Sequence, residues 1–272
     1  MNLLRSQPES RLLPLREVER RLPAIGRRSL GVQTIPLADV VGTEGRQATF
    51  TRDFAPRHES SRQRIRALAA AFPNGEFPPI VAVKLGDVYF VIDGHHRVAL
   101  ARQNGGEMID ADITELVTRV PLPAGADMVE VVLRQLERVF LEDGGLAQAR
   151  PGVRLAASRP ALYLELLENM QVHGYHLMRD HGRVLSTEDI ADDWYENVLS
   201  PAVAPSVRES VPESFKDLPD ADLFLLLHQR RREGFPSGDC PPLADVVASL
   251  ADPKRRRVMS LRQRRARLQL PA

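Results

Sequence analysis

The sequence predicts an α/β protein, with a mixed α/β domain at about residues 30–120 followed by an all-α domain at about 126–235. Three observations carry that expectation. Residues 79–114 hold two β-rich runs joined by Gly86-Asp87, then a polar glycine turn, a short helical run and an alternating strand. Beyond residue 126 the apolar period becomes helical and stays so. Between the two, Pro121-Leu122-Pro123-Ala124-Gly125 reads as an interdomain linker.

In chain order, residues 1–29 read as an N-terminal helical extension, with a charged helix over 14–29 that ends near Pro23. Residues 32–41 read as a strand and turn. From Glu59 to Phe72 the apolar Ile65, Leu68, Ala69 and Phe72 fall on one helical face, and Pro73-Asn74-Gly75 stops that helix. Ile80–Val83 and Val88–Ile92 form a hairpin, Val98–Arg102 a short helix, Gly105-Gly106 its stop, and Met108–Thr114 a strand. In the second half, stripes at Val129–Phe140, Leu162–Met170, Ser186–Leu199 and Ala221–His228 predict four helices divided by Pro201, Pro205, Pro212 and Pro219. Ser186 or Thr187, followed by Glu188-Asp189, is an expected N-cap. A Pro/Gly-rich connector at 234–242 leads towards a basic tail at 252–272.

The chain has 272 residues, enough for one or two domains at roughly 150 residues each. Its single cysteine, Cys240, excludes an intramolecular disulfide and a four-cysteine zinc site. No apolar run reaches the ~18 residues of a membrane span. The start, MNLLRSQPESRLLPL, is broken by Arg, Glu and Pro, unlike a signal peptide, so a reducing cytoplasm is the expected compartment. The balance of 37 bases against 36 acids hides an asymmetry: residues 253–272 hold eight bases and no acid, which leaves 29 bases against 36 acids elsewhere. Only Lys84, Lys216 and Lys254 are lysines, so no single Arg is informative by its type alone.

The chemistry concentrates at Asp93-Gly94-His95-His96-Arg97, where a strand hands directly to a helix. Such a hand-over aims backbone N–H groups and the positive end of the helix dipole at the turn, a ready anion site. Gly94 allows close backbone approach, His95 and His96 offer ring donors, and Arg97 can fork two donors onto phosphate oxygens. The same residues would also serve as a solvated polar turn, with Arg97 in a surface ion pair.

Residues 79–115, with the order strand, Gly-x-x-Arg turn, short helix, Gly and strand, resemble the N-terminal domain of the ParB/sulfiredoxin superfamily. Residues 35–72, with Arg52-Asp53-Phe54-Ala55-Pro56-Arg57 ahead of a helix, resemble its upstream half. Trp194-Tyr195-Glu196-Asn197-Val198, Pro201 and Asp220-Ala221-Asp222-Leu223-Phe224 are similar to the region C-terminal to this domain in an uncharacterised bacterial family of ParB-like proteins. The resemblance covers roughly residues 30–233. It implies a nucleotide (ATP, ADP or CTP, with Mg2+) or a phosphorylated small molecule held by Gly94, His95, His96 and Arg97, and a phosphotransferase or nucleotide hydrolase as the activity.

The branches of that superfamily differ at this turn. Sulfiredoxins carry a reactive cysteine directly after the turn glycine; His95 stands there, which excludes sulfinate reduction. ParB partition proteins carry Gly-Glu-Arg-Arg and then a helix-turn-helix; Gly94 and Arg97 match, His95 and His96 do not, and 126–235 shows no such motif. Free-serine kinases carry an Asp-Gly-x-His-Arg turn and an upstream His-Glu, which His58-Glu59 resembles. That likeness implies Glu59 as the acceptor of a hydroxyl proton, Asp93 as a magnesium contact or histidine-orienting group, and His95 as a further catalytic candidate. A glutamate opening a helix is also favoured by the macrodipole alone.

Other candidates have plainer readings. His173 and His176 lie one helical turn apart near Glu165 and Glu168, but Gly174 breaks the pattern and no metal site is assigned. Trp194, Tyr195 and His228 read as core contacts of the helical domain, and Cys240 has no activating neighbour in sequence. In the tail, Arg255, Arg256, Arg257, Arg264 and Arg265 would suit nucleic acid, which gives the alternative of a non-enzymatic ParB-like regulator or DNA-binding protein. A solvated basic end is the other reading of those arginines.

Overall fold

The computed structural model describes residues 11–234 and 241–251. It is an α/β domain followed by a helical region, and the chain divides into two compact units between Arg138 and Val139. The first unit is built on one six-stranded mixed sheet of order β1-β3-β5-β4-β6-β2. These strands are β1 (Leu13–Pro14), β2 (Ala24–Pro36), β3 (Val40–Thr43), β4 (Ile80–Leu85), β5 (Val88–Asp93) and β6 (Met108–Thr118). The β4–β5 hairpin and the long β2–β6 ribbon are antiparallel, whereas β1–β3, β3–β5 and β4–β6 are parallel.

The central strands β4 and β5 send side chains into cores on both faces, which explains why they read as nearly continuous apolar runs. Alternate residues of β4 enter different cores: Ile80 and Ala82 one, Val83 and Leu85 the other. The first core is closed by α2 (Glu59–Ala71) and α3 (His95–Gln103), through Ile65, Val98, Ala99 and Leu100. The second is closed by α1 (Leu15–Arg21), through Leu15 and Val18, together with Leu122, Ala126 and Val131. On α2 only Ser61 and Ile65 are buried; Leu68 and Phe72 are half-buried and Ala69 is exposed.

Two parts of the first unit differ from the sequence reading. The helix expected over 14–29 stops at Arg21, because Pro23 disfavours helical geometry at Leu22. Residues 24–36 instead form β2, paired along its length with β6, so residues 11–29 hold sheet and core as well as one short helix. Likewise Pro121–Gly125 is no free linker. Leu122 is fully buried, its carbonyl accepts from the Asp87 N–H at 2.8 Å, and it lies so close over Gly86 that a side chain there would strike it.

The second unit is helical. Its elements are the end of α4 (Met128–Asp143), then α5 (Leu146–Ala149), α6 (Ala161–His181), α7 (Thr187–Trp194), α8 (Ser200–Ala202), α9 (Pro205–Ser210), α10 (Glu213–Lys216), α11 (Asp220–Gly234) and α12 (Leu243–Ser249). Ser186 caps α7 as expected, its Oγ accepting from the Asp189 N–H at 3.1 Å. Gly174 does not interrupt α6: it admits Ile190, whose Cγ2 would lie 2.7 Å from a Cβ at that position. Between α7 and α8, residues Tyr195–Leu199 widen into a π-turn in which the Ser200 N–H bonds the Tyr195 carbonyl. Pro201 comes next, and a wider turn relieves the clash its ring would make with the preceding turn. Trp194 is completely buried among Phe140 and Phe224, and its Nε1 donates to Asn169 Oδ1 at 2.7 Å. Asn169 Nδ2 in turn donates to His228 Nε2 at 2.9 Å, so these residues are core contacts. The sequence reading did not assign α12, which packs Val246 and Val247, with Leu250 just beyond its end, against Leu223 and Leu227. Among the described residues no helix is long and apolar enough to cross a membrane.

Gly42 lies flat against Phe90, and a Cβ there would sit 2.7 Å from the Leu13 carbonyl as well. Gly42→Ala is therefore expected to cost about 2 kcal/mol in urea denaturation, as overpacked cores do. Gly26→Ala, with only an ordinary contact to Val117, is expected to change stability by less than about 0.5 kcal/mol.

Candidate functional site

The hand-over from β5 to α3 is made by a single residue. Gly94 adopts φ 95°, and a Cβ at this position would lie 2.6 Å from Ile80 Cγ2. Only glycine satisfies both the left-handed backbone and the contact. Its carbonyl accepts from the Arg97 and Val98 N–H groups at 2.8 and 3.0 Å, which starts the helix. The amides of His95 and His96 are left in the first turn without an intrahelical acceptor.

The four polar side chains of the turn then part company. His95 points inward: it is 6% exposed, its Nε2 lies 2.5 Å from Thr43 Oγ1, and it stacks on Phe50 with ring centroids 6.0 Å apart. Burial, and after it the positive charge of Arg46, push its pKa down to about 4, so the ring is neutral near pH 7. Thr43 is buried too, and Phe54 completes the enclosure with its ring centroid 6.4 Å away. His95, expected from sequence to donate to phosphate or to act in catalysis, is thus built into the core.

Arg97 is also committed. One guanidinium nitrogen donates to the Pro78 and Pro79 carbonyls at 2.6 Å each, and the other to Asp93 Oδ2 at 2.6 Å. The side chain ties the start of α3 to the segment that leads into β4. The fork that the sequence reserves for phosphate is holding backbone, and Asp93 is its counter-ion.

Glu59 opens α2 as expected, behind His58. Its carboxylate is exposed and pairs with Arg62 at 3.2 Å and with Arg66. Hydrogen bonds from these two arginines hold its pKa below the ordinary carboxylate value. A general base works best with a pKa near the working pH, and this pairing moves Glu59 the other way.

His96 remains. Its ring meets Phe50 edge-on at 5.3 Å, and its Nε2 is buried without any hydrogen-bond partner among the described residues. Burial lowers its pKa, followed by the charges of Arg64 on α2 and Arg46 in the loop after β3. Arg46 and Arg64 are exposed, and among the described residues neither has an acceptor or a counter-ion. The site that the fold assembles is therefore a partnerless ring nitrogen, two free guanidinium groups and the amides at the start of α3. Sequence reasoning missed Arg46, Arg64, Thr43 and Phe50, because in an arginine-rich chain only the fold selects two of them.

The loop between β3 and α2 supports this arrangement. Phe54 takes φ 58°, an unfavourable conformation for a side chain of this size, and is fully buried. Arg102 of α3 stacks over its ring at 5.2 Å and donates to the Leu37 and Val40 carbonyls at 2.6 and 3.0 Å. Arg52 holds the loop from the other side through the Gly125 and Ala126 carbonyls. Two clefts lie elsewhere on this unit: one of about 660 Å³ bordered by Asp53, Arg102 and Glu107, the other of about 540 Å³ bordered by Phe77, Asn104 and Asp110. No residue of 93–97 lines either.

In the second unit, His173 Nε2 lies 2.7 Å from Asp193 Oδ1, while His176 is exposed. Among the described residues no three His, Cys, Asp or Glu side chains come together as metal ligands would. Cys240 and the tail arginines Arg255, Arg256, Arg257, Arg264 and Arg265 lie outside the described residues.

No protein-family profile and no curated protein matches the chain. Among solved structures it is similar to the sulfiredoxin of Arabidopsis thaliana, with 17% identity, 30% of this chain and 82% of that chain covered, and a TM-score of 0.24. It is also similar to two structures of a ParB N-domain, at 13% and 12% identity. Those matches cover 86% and 89% of this chain, and 98% and 97% of theirs, with TM-scores of 0.23 and 0.24. At such scores the site stands on its own geometry alone.

Because the pKa of His95 is depressed on folding, its contribution to stability is complete above the unfolded value near 6.5 and is lost as pH falls towards about 4. Across that window the native protein is expected to lose about 3 kcal/mol that a His95→Gln variant does not lose. Denaturation midpoints measured from pH 7 to pH 4 in both proteins check this. Gly94→Ala is expected to destabilise by at least about 2 kcal/mol in the same assay, from backbone strain and the overlap with Ile80.

Proposed function

We propose that this is a ParB/sulfiredoxin-like protein that binds the phosphate of a nucleotide or phosphorylated small molecule at the start of α3. The observation that carries the reading is the buried, partnerless Nε2 of His96 beside two uncompensated arginines. A buried polar atom without a partner costs about 1–3 kcal/mol, and an anion at this point would relieve it. His96 then contributes a ring N–H, the first amides of α3 contribute theirs, and Arg46 and Arg64 contribute charge. An anion also favours the protonated ring, so binding takes up a proton and strengthens as pH falls below neutrality.

Gly94 and Arg97 keep their place in this reading with a changed task. They shape the turn and hold it, while the charge comes from Arg46 and Arg64. Catalysis is not part of the proposal: Glu59 is paired and its pKa lowered, and Asp93 is engaged by Arg97. A magnesium ion, where one accompanies a nucleotide, would be held chiefly by the phosphates.

Titration calorimetry with ATP, ADP and CTP, each with magnesium, tests the proposal. Heat of binding is expected for at least one of them. Arg46→Ala and Arg64→Ala are each expected to weaken it by about tenfold, as loss of a charge-assisted bond does. Arg97→Ala is expected to lower the melting temperature with or without ligand. Silence from all three nucleotides and from inorganic pyrophosphate would overturn the proposal.

A further inference from the structure

Three large apolar side chains stand in water on a single helix of the second unit. On α6, Leu164 is 72% exposed, Val172 52% and Tyr175 63%. The opposite face of the helix carries Leu162, Tyr163, Leu166, Met170 and Gly174 into the core. At 100° per residue the three exposed side chains fall within about 80° of one another, so they form one stripe. With 21 residues, α6 offers an outer face about 30 Å long.

The charges on that face are separated along the axis. The acids Glu165 and Glu168 lie in the first half and Arg179 in the second, with Val172 between and His176 as a further ring donor near Arg179. The macrodipole favours acids early and bases late, but it asks for nothing apolar in the middle. A helix patterned in this way is complementary to itself when turned end for end. A two-fold axis near the middle of α6 sets Glu168 towards His176 and Glu165 towards Arg179. It also brings Val172 against its own copy, with Tyr175 one turn from the axis. Arg179 already touches the neighbouring Asp180 at 2.8 Å, but both side chains are exposed, and such a pair contributes little.

We infer that the outer face of α6 is a docking surface for a second copy of this chain, forming an antiparallel, two-fold helix pair. Like charges meet in a parallel pair and opposite charges in an antiparallel one, which fixes the orientation. Burying the stripe removes apolar surface from water twice, once on each copy, and every side chain on it counts twice. The inference is independent of the anion site on the first unit.

Sedimentation equilibrium of the full chain across the micromolar range decides it. The expected mass is that of two chains, falling towards one on dilution. Val172→Arg places like charges at the axis and is expected to give a single chain at every concentration, with unchanged helical content by circular dichroism. Glu165→Arg is expected to weaken association about tenfold, since two symmetric exposed pairs become repulsive. Adding Arg179→Glu to it is expected to restore association, which a merely local effect would not do. A single chain at all concentrations would overturn the inference. So would a dimer that Val172→Arg leaves intact, because its interface would then lie on another surface.

Discussion

The contact between Gly94 and Ile80 sets the geometry on which the rest of the first unit depends. β5 ends and α3 begins within one residue, and the helix start can press against β4 only because that residue has no side chain. From this point the next three side chains have fixed destinations. His95 enters the core beneath the β3 end, His96 lies along the rim against Phe50, and Arg97 reaches back to the Pro78 and Pro79 carbonyls. The turn is a junction of three chain segments.

The two histidines show how one turn separates two electrostatic environments. His95 has partners and rings around it, and the neutral state suits a closed, low-dielectric cage. His96 shares the neighbouring ring of Phe50 but has an unmatched nitrogen and faces two uncompensated positive charges. Adjacent residues of the same type thus differ in that one is satisfied and the other is not. Arginines divide in the same manner. Arg97, Arg102 and Arg52 bind carbonyl oxygens of the chain, whereas Arg46 and Arg64 have nothing to hold among the described residues.

Much of the fold was legible in the sequence. The hairpin, the glycine turn, α3 and the helical period after residue 126 arise from local patterns of apolar residues and turn formers. The misread parts were decided by contacts distant in sequence. β2 is a strand because β6, about eighty residues on, supplies its partners, and Leu122 is buried because it covers the Gly86 turn. Gly174 looked like a helix breaker until Ile190 was placed against it. The site was legible as a location but not as a set of roles. The pentapeptide was singled out by its donors, yet which donors are free depends on Thr43, Pro78 and Pro79, none of them adjacent in sequence. Arg46 and Arg64 gave no signal of their own among so many arginines.

The chain contains one tryptophan, and it is sealed inside the second unit among Phe140, Phe224 and Asn169. Tryptophan emission, excited where tyrosine does not absorb, therefore reports on one unit alone, as a blue-shifted emission that reddens when water reaches Trp194. The strands of the first unit are silent in that signal but contribute to far-ultraviolet circular dichroism. The two optical signals, followed on heating, form a built-in pair of independent probes. Their coincidence or divergence tells whether the sheet and the helical unit lose structure as one cooperative body or as two.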